Sequence, residues 1–231
     1  QFDWSEDWAL LGGKQTKLQV AHTKLSHSRA FTVRAYRLQT HEMLFDALTQ
    51  AFRVLGGVPQ RGIFDNMKTA VDRIGTGKVR QVNARFAAMA SHYLFDSHFC
   101  TVRRGNEKGL VEGTGGYARR NFLVPVPELA DFEELNAYLL ERCRSDLDRR
   151  LRGQAASKAE LLKKDQAAFL PLPATPLDAC RKQAARANSL SVVRFCGNDY
   201  SVPVRCAHHE VTVKGYWDRV VICHRDRVVA E

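Results

Sequence analysis

Three acidic residues in the first half of the sequence have the type and spacing of a metal site, and Asp65 is the clearest of them. It follows the short apolar run of residues 62–64 in the segment RGIFDNMKTAV, with Lys68 three positions further on. That run predicts a buried strand, whose C-terminal end is where α/β enzymes present metal-binding groups to phosphates. The alternative is that Asp65 only caps the turn that follows.

Two further carboxylates fit the same chemistry. Asp3 lies in FDWS, which reads as a first strand, and Glu112 lies in NEKGLVEG, which predicts a loop leading into a helix. Three carboxylates that meet repel one another strongly unless a cation intervenes, and oxygen-rich sites suit Mg²⁺ or Mn²⁺. Two such ions about 4 Å apart clamp the attacking and leaving oxygens of a phosphoryl transfer. Glu107 competes for the third position.

The elements that would position these acids follow from hydrophobic periodicity. Apolar alternation before residue 37 predicts a three-strand antiparallel meander with one buried face. Helices are predicted over residues 40–55 and 83–95, with the Asp65 strand between them and a fifth strand at 99–102. Glycines 113, 115 and 116 lower the helix propensity around Glu112, so a late, frayed or bent helix is expected there.

The rest of the chain divides by composition. A strong amphipathic helix is predicted from Asp131 to about Leu151, and residues 154–190 read as a helical and proline-rich linker. Short strands from residue 191 onward predict a small β-barrel of the SH3-like type, still incomplete at residue 231. The predicted domains are therefore a core over 1–125, a helix completing it over 126–153, the linker, and the barrel over 191–231.

Charge and cysteine content narrow the function classes. The chain has a net charge of +10 and a sequence pI of about 9.5, which favours a polyanion partner, most often nucleic acid. No stretch approaches the roughly 18 apolar residues of a membrane span. The six cysteines include no CxxC pair, which argues against a zinc knuckle and weakly favours a reducing cytosol. His208 and His209 are adjacent, and on a strand they would point to opposite faces.

The motifs in their order resemble a known family. FDWS, GGVPQRGIFDNMKTAV, GNEKGLVEG and YARRNFLVP are similar to the IstA-type insertion-sequence transposases. These are DDE recombinases of the retroviral-integrase superfamily that work with an AAA+ ATPase helper. The resemblance covers roughly residues 1–125, and the tail from about 185 fits the family's β-barrel. It departs from the family at Thr114-Gly115-Gly116, where bulkier apolar residues are expected.

The resemblance implies a fold, a site and a reaction. The fold is α/β: a ribonuclease H-like catalytic core, a mixed five-stranded sheet with helices, followed by the linker and barrel. Asp3, Asp65 and Glu112 fall on the family's catalytic and metal-binding acids, with two Mg²⁺ ions per active site, for which Mn²⁺ can substitute. The reaction is hydrolysis at each transposon end, which frees a 3′-OH, and then direct attack of that hydroxyl on target DNA.

Basic residues near the acids are candidates for contacts with DNA phosphates. They are Lys68, Lys108, Arg119 and Arg120, and the alternative for each is a solvated basic surface. The stretch 142–164 carries eight Lys or Arg against three acids, and it reads either as a solvated helix face or as a further DNA contact.

The resemblance also implies partners. These are transposon-end DNA, target DNA, the ATPase helper and further copies of the chain in a dimer or larger assembly on DNA. The expected place is the bacterial cytoplasm, on the nucleoid, without a membrane. Because the sequence opens inside a predicted strand and lacks Met, an upstream helix-turn-helix region is expected to precede it. Two alternatives stay open: a structure-specific nuclease of the same fold, and a non-catalytic DNA-binding assembly protein.

Overall fold

The computed structural model describes residues 1–74, 80–100 and 109–231, with the backbone alone described at residue 74 and at residues 109–112. Lys108 and Glu107 therefore lie outside the described residues. The chain forms two compact units, Gln1–Leu177 and Asp178–Glu231. No helix among the described residues is long and apolar enough to cross a membrane.

The first unit is built on the predicted meander. Strands β1 (Phe2–Leu11), β2 (Lys14–Lys24) and β3 (Phe31–Tyr36) are antiparallel neighbours, and the turn between β1 and β2 is made by two glycines with positive φ. A two-residue strand that the periodicity does not predict, at Glu128–Leu129, adds to the far end of β1 in parallel. In chain order it is the eighth strand, β8. It gives the sheet the order β3-β2-β1-β8.

The segment that carries Asp65 forms a parallel pair of strands beside β1. Strand β4 (Arg61–Phe64) pairs with β7 (Asp96–Phe99), and the chain between them forms the hairpin β5 (Val71–Ile74) and β6 (Arg80–Val82), then helix α2 (Ala84–Tyr93). A strand next to β4 is thus present, but it runs over Asp96–Phe99, three residues earlier than the predicted 99–102, of which residues 101 and 102 lie outside the described residues. Within the described residues, however, β4 and β7 form their own hydrogen-bonded ladder rather than one continuous sheet with β1.

Helices cover both faces of the meander. Helix α1 (His41–Leu55) begins at its cap Thr40 and ends at Gly56, as predicted. Helix α3 (Gly109–Phe122) and helix α4 (Phe132–Ser145) lie on the other face. Successive side chains of β3 point to opposite faces of the sheet, so Phe31 and Tyr36 lie on different faces. Tyr36 donates a hydrogen bond to Asp46 of α1, while Phe31 packs against Tyr117 of α3.

Helix α4 also closes the free edge of the sheet. Asn136 is buried, and its amide accepts a hydrogen bond from Ala35 N at 2.7 Å and donates to Ala35 O at 3.0 Å. A buried edge strand must satisfy its backbone groups, and one asparagine does this here as a neighbouring strand would. Helix α5 (Lys158–Ala167) follows, with a capping box between Ser157 and Glu160.

The second unit is β-rich, as the sequence predicts. Its strands are β9 (Arg181–Arg186), β10 (Val192–Phe195), β11 (Asn198–Ser201), β12 (Glu210–Gly215), β13 (Val220–His224) and β14 (Arg227–Ala230). Four of them form the antiparallel sheet β14-β13-β12-β9, and β10 and β11 form a hairpin on the same core. Strand β9 lies within residues 154–190, which the sequence analysis interprets as a linker. Its polar sequence RKQAAR shows no strand signal, and it forms a strand because β12 pairs with it.

Candidate active site

Asp3 lies on the face of β1 that helix α3 covers. It is half-buried, it stands opposite His22 in β2, and its Oδ1 accepts a hydrogen bond from Trp4 N at 3.0 Å. Because side chains alternate along a strand, Asp3 shares its face with Ser5 and Asp7, whereas Phe2 points into the opposite side of the sheet.

Asp65 follows directly on β4, and its neighbourhood fixes it next to β1. Phe64 is almost fully buried, and its ring centroid is 6.0 Å from that of Phe2. The two acids therefore each come one residue after a core phenylalanine, on two adjacent strands. Asp65 itself is exposed, and its Oδ1 accepts from Asn66 N at 2.7 Å. This bond is to the next residue, whereas a capping side chain accepts from an N–H two or three residues on.

Helix α3 lies along the acidic face of β1 in a defined register. A Cβ placed on Gly115 would be 3.5 Å from Ser5 Cβ and 3.8 Å from His22 Nε2, so the helix backbone approaches the strand closely there. One turn further on, Arg119 Nε donates to Asp7 Oδ1 at 2.6 Å. Position 112 comes one turn before Gly115 in the backbone of the same helix.

The basic candidates differ in their surroundings. Lys68 is exposed in the turn after Asp65, and Arg120 is exposed with its guanidinium folded back over Gly116. Arg119 donates to Asp7 and to Glu6 O, so its guanidinium is bound to β1. The sequence does not indicate that Arg119 anchors α3 to β1, because its partner Asp7 lies more than a hundred residues earlier in the chain.

His22 is a buried polar residue at the site that the sequence reasoning missed. It is 1% exposed, and its Nε2 is 2.7 Å from Ser5 Oγ. Burial, and secondly the charge of Arg119, lower the pKa of His22 to about 4, so the ring is neutral at pH 7. Its Nδ1 has no hydrogen-bond partner among the described residues. The predicted antiparallel pairing of β1 with β2 is the signal that could have placed His22 opposite Asp3.

The donor set around Asp3 and Asp65 fits a hard cation. Both are carboxylates on adjacent strands, and both are at least partly accessible, as an ion that keeps bound waters requires. Among the side chains that the structure describes, no group of three or more His, Cys, Asp or Glu could hold a metal ion. The side chain at position 112 is not among those described.

The arrangement of strands and helices is that of an integrase catalytic core, a ribonuclease H-like fold. The simian T-cell lymphotropic virus intasome, solved in complex with the PP2A regulatory subunit B56 gamma, contains a chain that superposes with a TM-score of 0.52. The match covers 99% of this chain and 78% of that chain at 12% identity, which shows a shared fold. Residues 172–231 match the family model for the Mu transposase, C-terminal domain.

Sequence comparison finds similar proteins along the whole chain. The chain is 49% identical over 232 residues to a transposase of Aminobacter aminovorans, covering 100% of this chain and 46% of that protein. It is 31% identical over 232 residues to the transposase for insertion sequence element IS21 of Pseudomonas aeruginosa, covering 59% of that protein. The chain is thus similar, along its whole length, to transposases of insertion sequences, IS21 among them. It spans about half the length of the curated relatives it matches.

Proposed function

We propose that this chain carries the catalytic centre of a DDE transposase, which cleaves transposon ends and joins them to target DNA. The observation that carries the proposal is the packing of Phe2 on Phe64, because Asp3 and Asp65 are the next residues in the chain after these two rings. The register of α3 supports Glu112 as the third acid. Homology to insertion-sequence transposases supports the substrate class.

The acids have separate tasks in this proposal. Asp3 and Asp65 hold two Mg²⁺ ions, for which Mn²⁺ can substitute, and Glu112 completes the ligands of one. When bound, these ions lower the barrier by neutralising the charge that develops on the attacking and leaving oxygens. Neutral His22 adds no positive charge to the site, and the close contact at Gly115 fixes the distance between α3 and β1.

Basic side chains position the DNA around the acids. Lys68 stands in the turn after Asp65, and Arg120 lies on α3, so both are placed to contact phosphates on either side of the reacting one. Lys108 is the third candidate. For Arg119 we propose an anchoring role through Asp7 in addition to any contact with DNA.

The partners follow from the reaction and the family. Two transposon ends require two active sites, so the working form is a dimer or larger assembly on transposon-end and target DNA, with an AAA+ ATPase helper. The intasome to which the fold is similar is an assembly of this general kind. We place the reaction in the bacterial cytoplasm, on the nucleoid.

A strand-transfer assay tests the proposal. A labelled, pre-cleaved end oligonucleotide is incubated with plasmid and Mn²⁺, using the chain in its full-length protein. The variants Asp3→Asn, Asp65→Asn and Glu112→Gln should each reduce joining by at least a thousandfold while binding DNA normally. Glu6→Gln, an exposed residue of the same strand, is the matched control and should join at the wild-type rate.

The outcomes separate the alternatives. Cleavage without joining would support a structure-specific nuclease of the same fold. Joining that persists in Asp65→Asn would overturn the assignment of the acids. DNA binding with neither cleavage nor joining, in wild type and variants alike, would support the non-catalytic assembly protein.

A further inference from the structure

A strongly basic groove of about 500 Å³ lies beside residues 113–120 of helix α3. Its walls come from the β2–β3 connection, from α3 and from the segment 149–158 that leads into α5. Seven of its lining side chains are cationic: Lys24, Arg29, Arg120, Arg149, Arg150, Arg152 and Lys158. The structure describes no acidic residue in the lining. We call this feature the basic groove.

One buried acid beneath the groove neutralises part of this charge. Asp146 is 4% exposed, and it accepts hydrogen bonds from Tyr117 at 2.8 Å and from Lys158. Arg149 lies 3.7 Å from the same carboxylate. Asp146 therefore engages two of the seven cations directly, while its charge also acts on Lys24 and that of Glu160 acts on Arg150. Among the described residues, these two acids offset only part of the positive charge of the groove and leave the rest uncompensated.

The uncompensated charge has a cost that a ligand would relieve. The Nη1 atom of Arg29 is buried and has no hydrogen-bond partner among the described residues. Arg29 also holds a left-handed backbone, with φ of 61°, which is unfavourable for a residue with a side chain. Burial, and then the charges of Lys158 and Arg29, lower the pKa of Lys24. Cations crowded and partly desolvated in this way favour a bound anion.

The groove begins next to the proposed active site. Lys24 lies two residues beyond His22 on the same face of β2, and His22 stands opposite Asp3. On the helix, Gly113 lines the groove and directly follows Glu112. A Cβ at Gly113 would meet nothing within 4 Å, so an extended ligand can approach the helix backbone at this point.

We propose that the basic groove binds the backbone of one DNA strand, holding one or two phosphates next to the reacting phosphate. This inference rests on the proposed function, because it places the groove on the path of the same DNA. Arginine suits this ligand, since its planar guanidinium binds two phosphate oxygens at once. The two arginines Arg150 and Arg152 are exposed at the rim and take no part in the Asp146 network, so they can be removed without disturbing the core.

The salt dependence of DNA binding tests the inference. The affinity of the full-length protein for an end duplex is measured over a range of KCl concentrations, with Ca²⁺ in place of Mg²⁺ so that no reaction occurs. Each phosphate contact contributes about 0.9 to the slope of log affinity against log salt. The double variant Arg150→Ala with Arg152→Ala should reduce the slope by about one to two and weaken binding about tenfold. Arg29→Asn, which removes the charge and tolerates the left-handed backbone, should act in the same direction.

A matched control removes two charges elsewhere in the same unit. Lys14 and Arg53 are exposed and lie outside the groove, so their double alanine variant should keep the wild-type slope. Replacing single phosphates by neutral methylphosphonates then locates the contact. One or two positions beside the reacting phosphate should weaken wild-type binding about tenfold and leave the Arg150/Arg152 variant unaffected.

The outcomes for the groove and for the reaction are distinguishable. If wild type joins DNA but the groove and control variants have equal slopes, the groove inference is overturned and the proposed function stands. If the slope falls as expected but no joining occurs, the groove binds DNA and the proposed function fails. If no DNA binds at all, both fail.

Discussion

Gly115 of α3 lies directly against Ser5 of β1, so close that a methyl group on residue 115 would already be in van der Waals contact with Ser5. A Cβ at residue 115 would be in ordinary contact, 3.5 Å from Ser5 Cβ and 3.7 Å from Ser5 Oγ. The sequence pattern marks Thr114-Gly115-Gly116 as a departure from bulkier family residues, and the structure gives a physical reason for one of them. At this point the helix must approach the strand that carries Asp3.

Enlarging residue 115 should therefore act on catalysis through the position of α3. Gly115→Ala fits the space and should leave joining within about threefold, while helix propensity stabilises the fold by up to about 1 kcal/mol. Gly115→Leu cannot fit without moving α3 away from Asp3, and joining should fall at least a hundredfold. The strand-transfer assay measures both. Normal joining by Gly115→Leu would show that the close contact does not set the site.

Much of the core could be predicted because its signals are local. The alternation of β1 to β3 and the caps Thr40 and Asp131 are readable in the sequence, and each is found where it is predicted. The acids could be singled out because each sits beside a recognisable apolar segment or motif. Their roles remain predictions, and the packing of Phe2 on Phe64 is what brings the first two to adjacent strands.

The features that the sequence does not predict depend on contacts between residues that are far apart in the chain. Strand β9 forms because β12 pairs with it, and β8 forms because Leu10 and Leu11 offer a free edge. The buried ring of His22 and the pairing of Arg119 with Asp7 arise from the docking of α3 on the meander. No single window of sequence contains both members of any of these pairs.

The buried carboxylate of Asp146 should be essential for the stability of the first unit. It joins α4 to α5 through Lys158 and to α3 through Tyr117. Asp146→Ala leaves the ammonium of Lys158 buried without its partner, which typically costs about 3–5 kcal/mol. Denaturant unfolding measures the loss. Asp148→Ala, two residues away and exposed, should cost less than about 0.5 kcal/mol. Equal effects of the two variants would refute this role.

His22 should make the protein less stable in mild acid. Its pKa is about 4 in the folded chain against an ordinary value of 6.5, so between these values the unfolded chain takes up a proton that the folded chain does not. The contribution is therefore complete above about pH 6.5, and about 3 kcal/mol is lost as the pH falls to about 4. His22→Gln keeps a partner for Ser5 and should lose this part of the pH dependence. His98→Gln, which replaces an exposed histidine, should keep it. The free energy of unfolding measured at pH 7 and pH 4.5 compares the three proteins.

Divalent ions should stabilise the folded chain through Asp65. An ion that binds only the folded state raises the free energy of unfolding by about 2.7 kcal/mol at a concentration one hundred times its dissociation constant. Mn²⁺ should therefore raise the melting temperature of wild type by several degrees, in a saturable way. The change should vanish in Asp65→Asn and in Asp3→Asn but not in Asp72→Asn, an exposed aspartate on β5 that serves as the control.

Because the measurement needs neither DNA nor turnover, it tests whether the two acids share an ion before any substrate arrives. A shift that survives in Asp65→Asn would place the ion elsewhere. The absence of any shift in wild type, with joining intact, would mean that the ions bind only together with DNA.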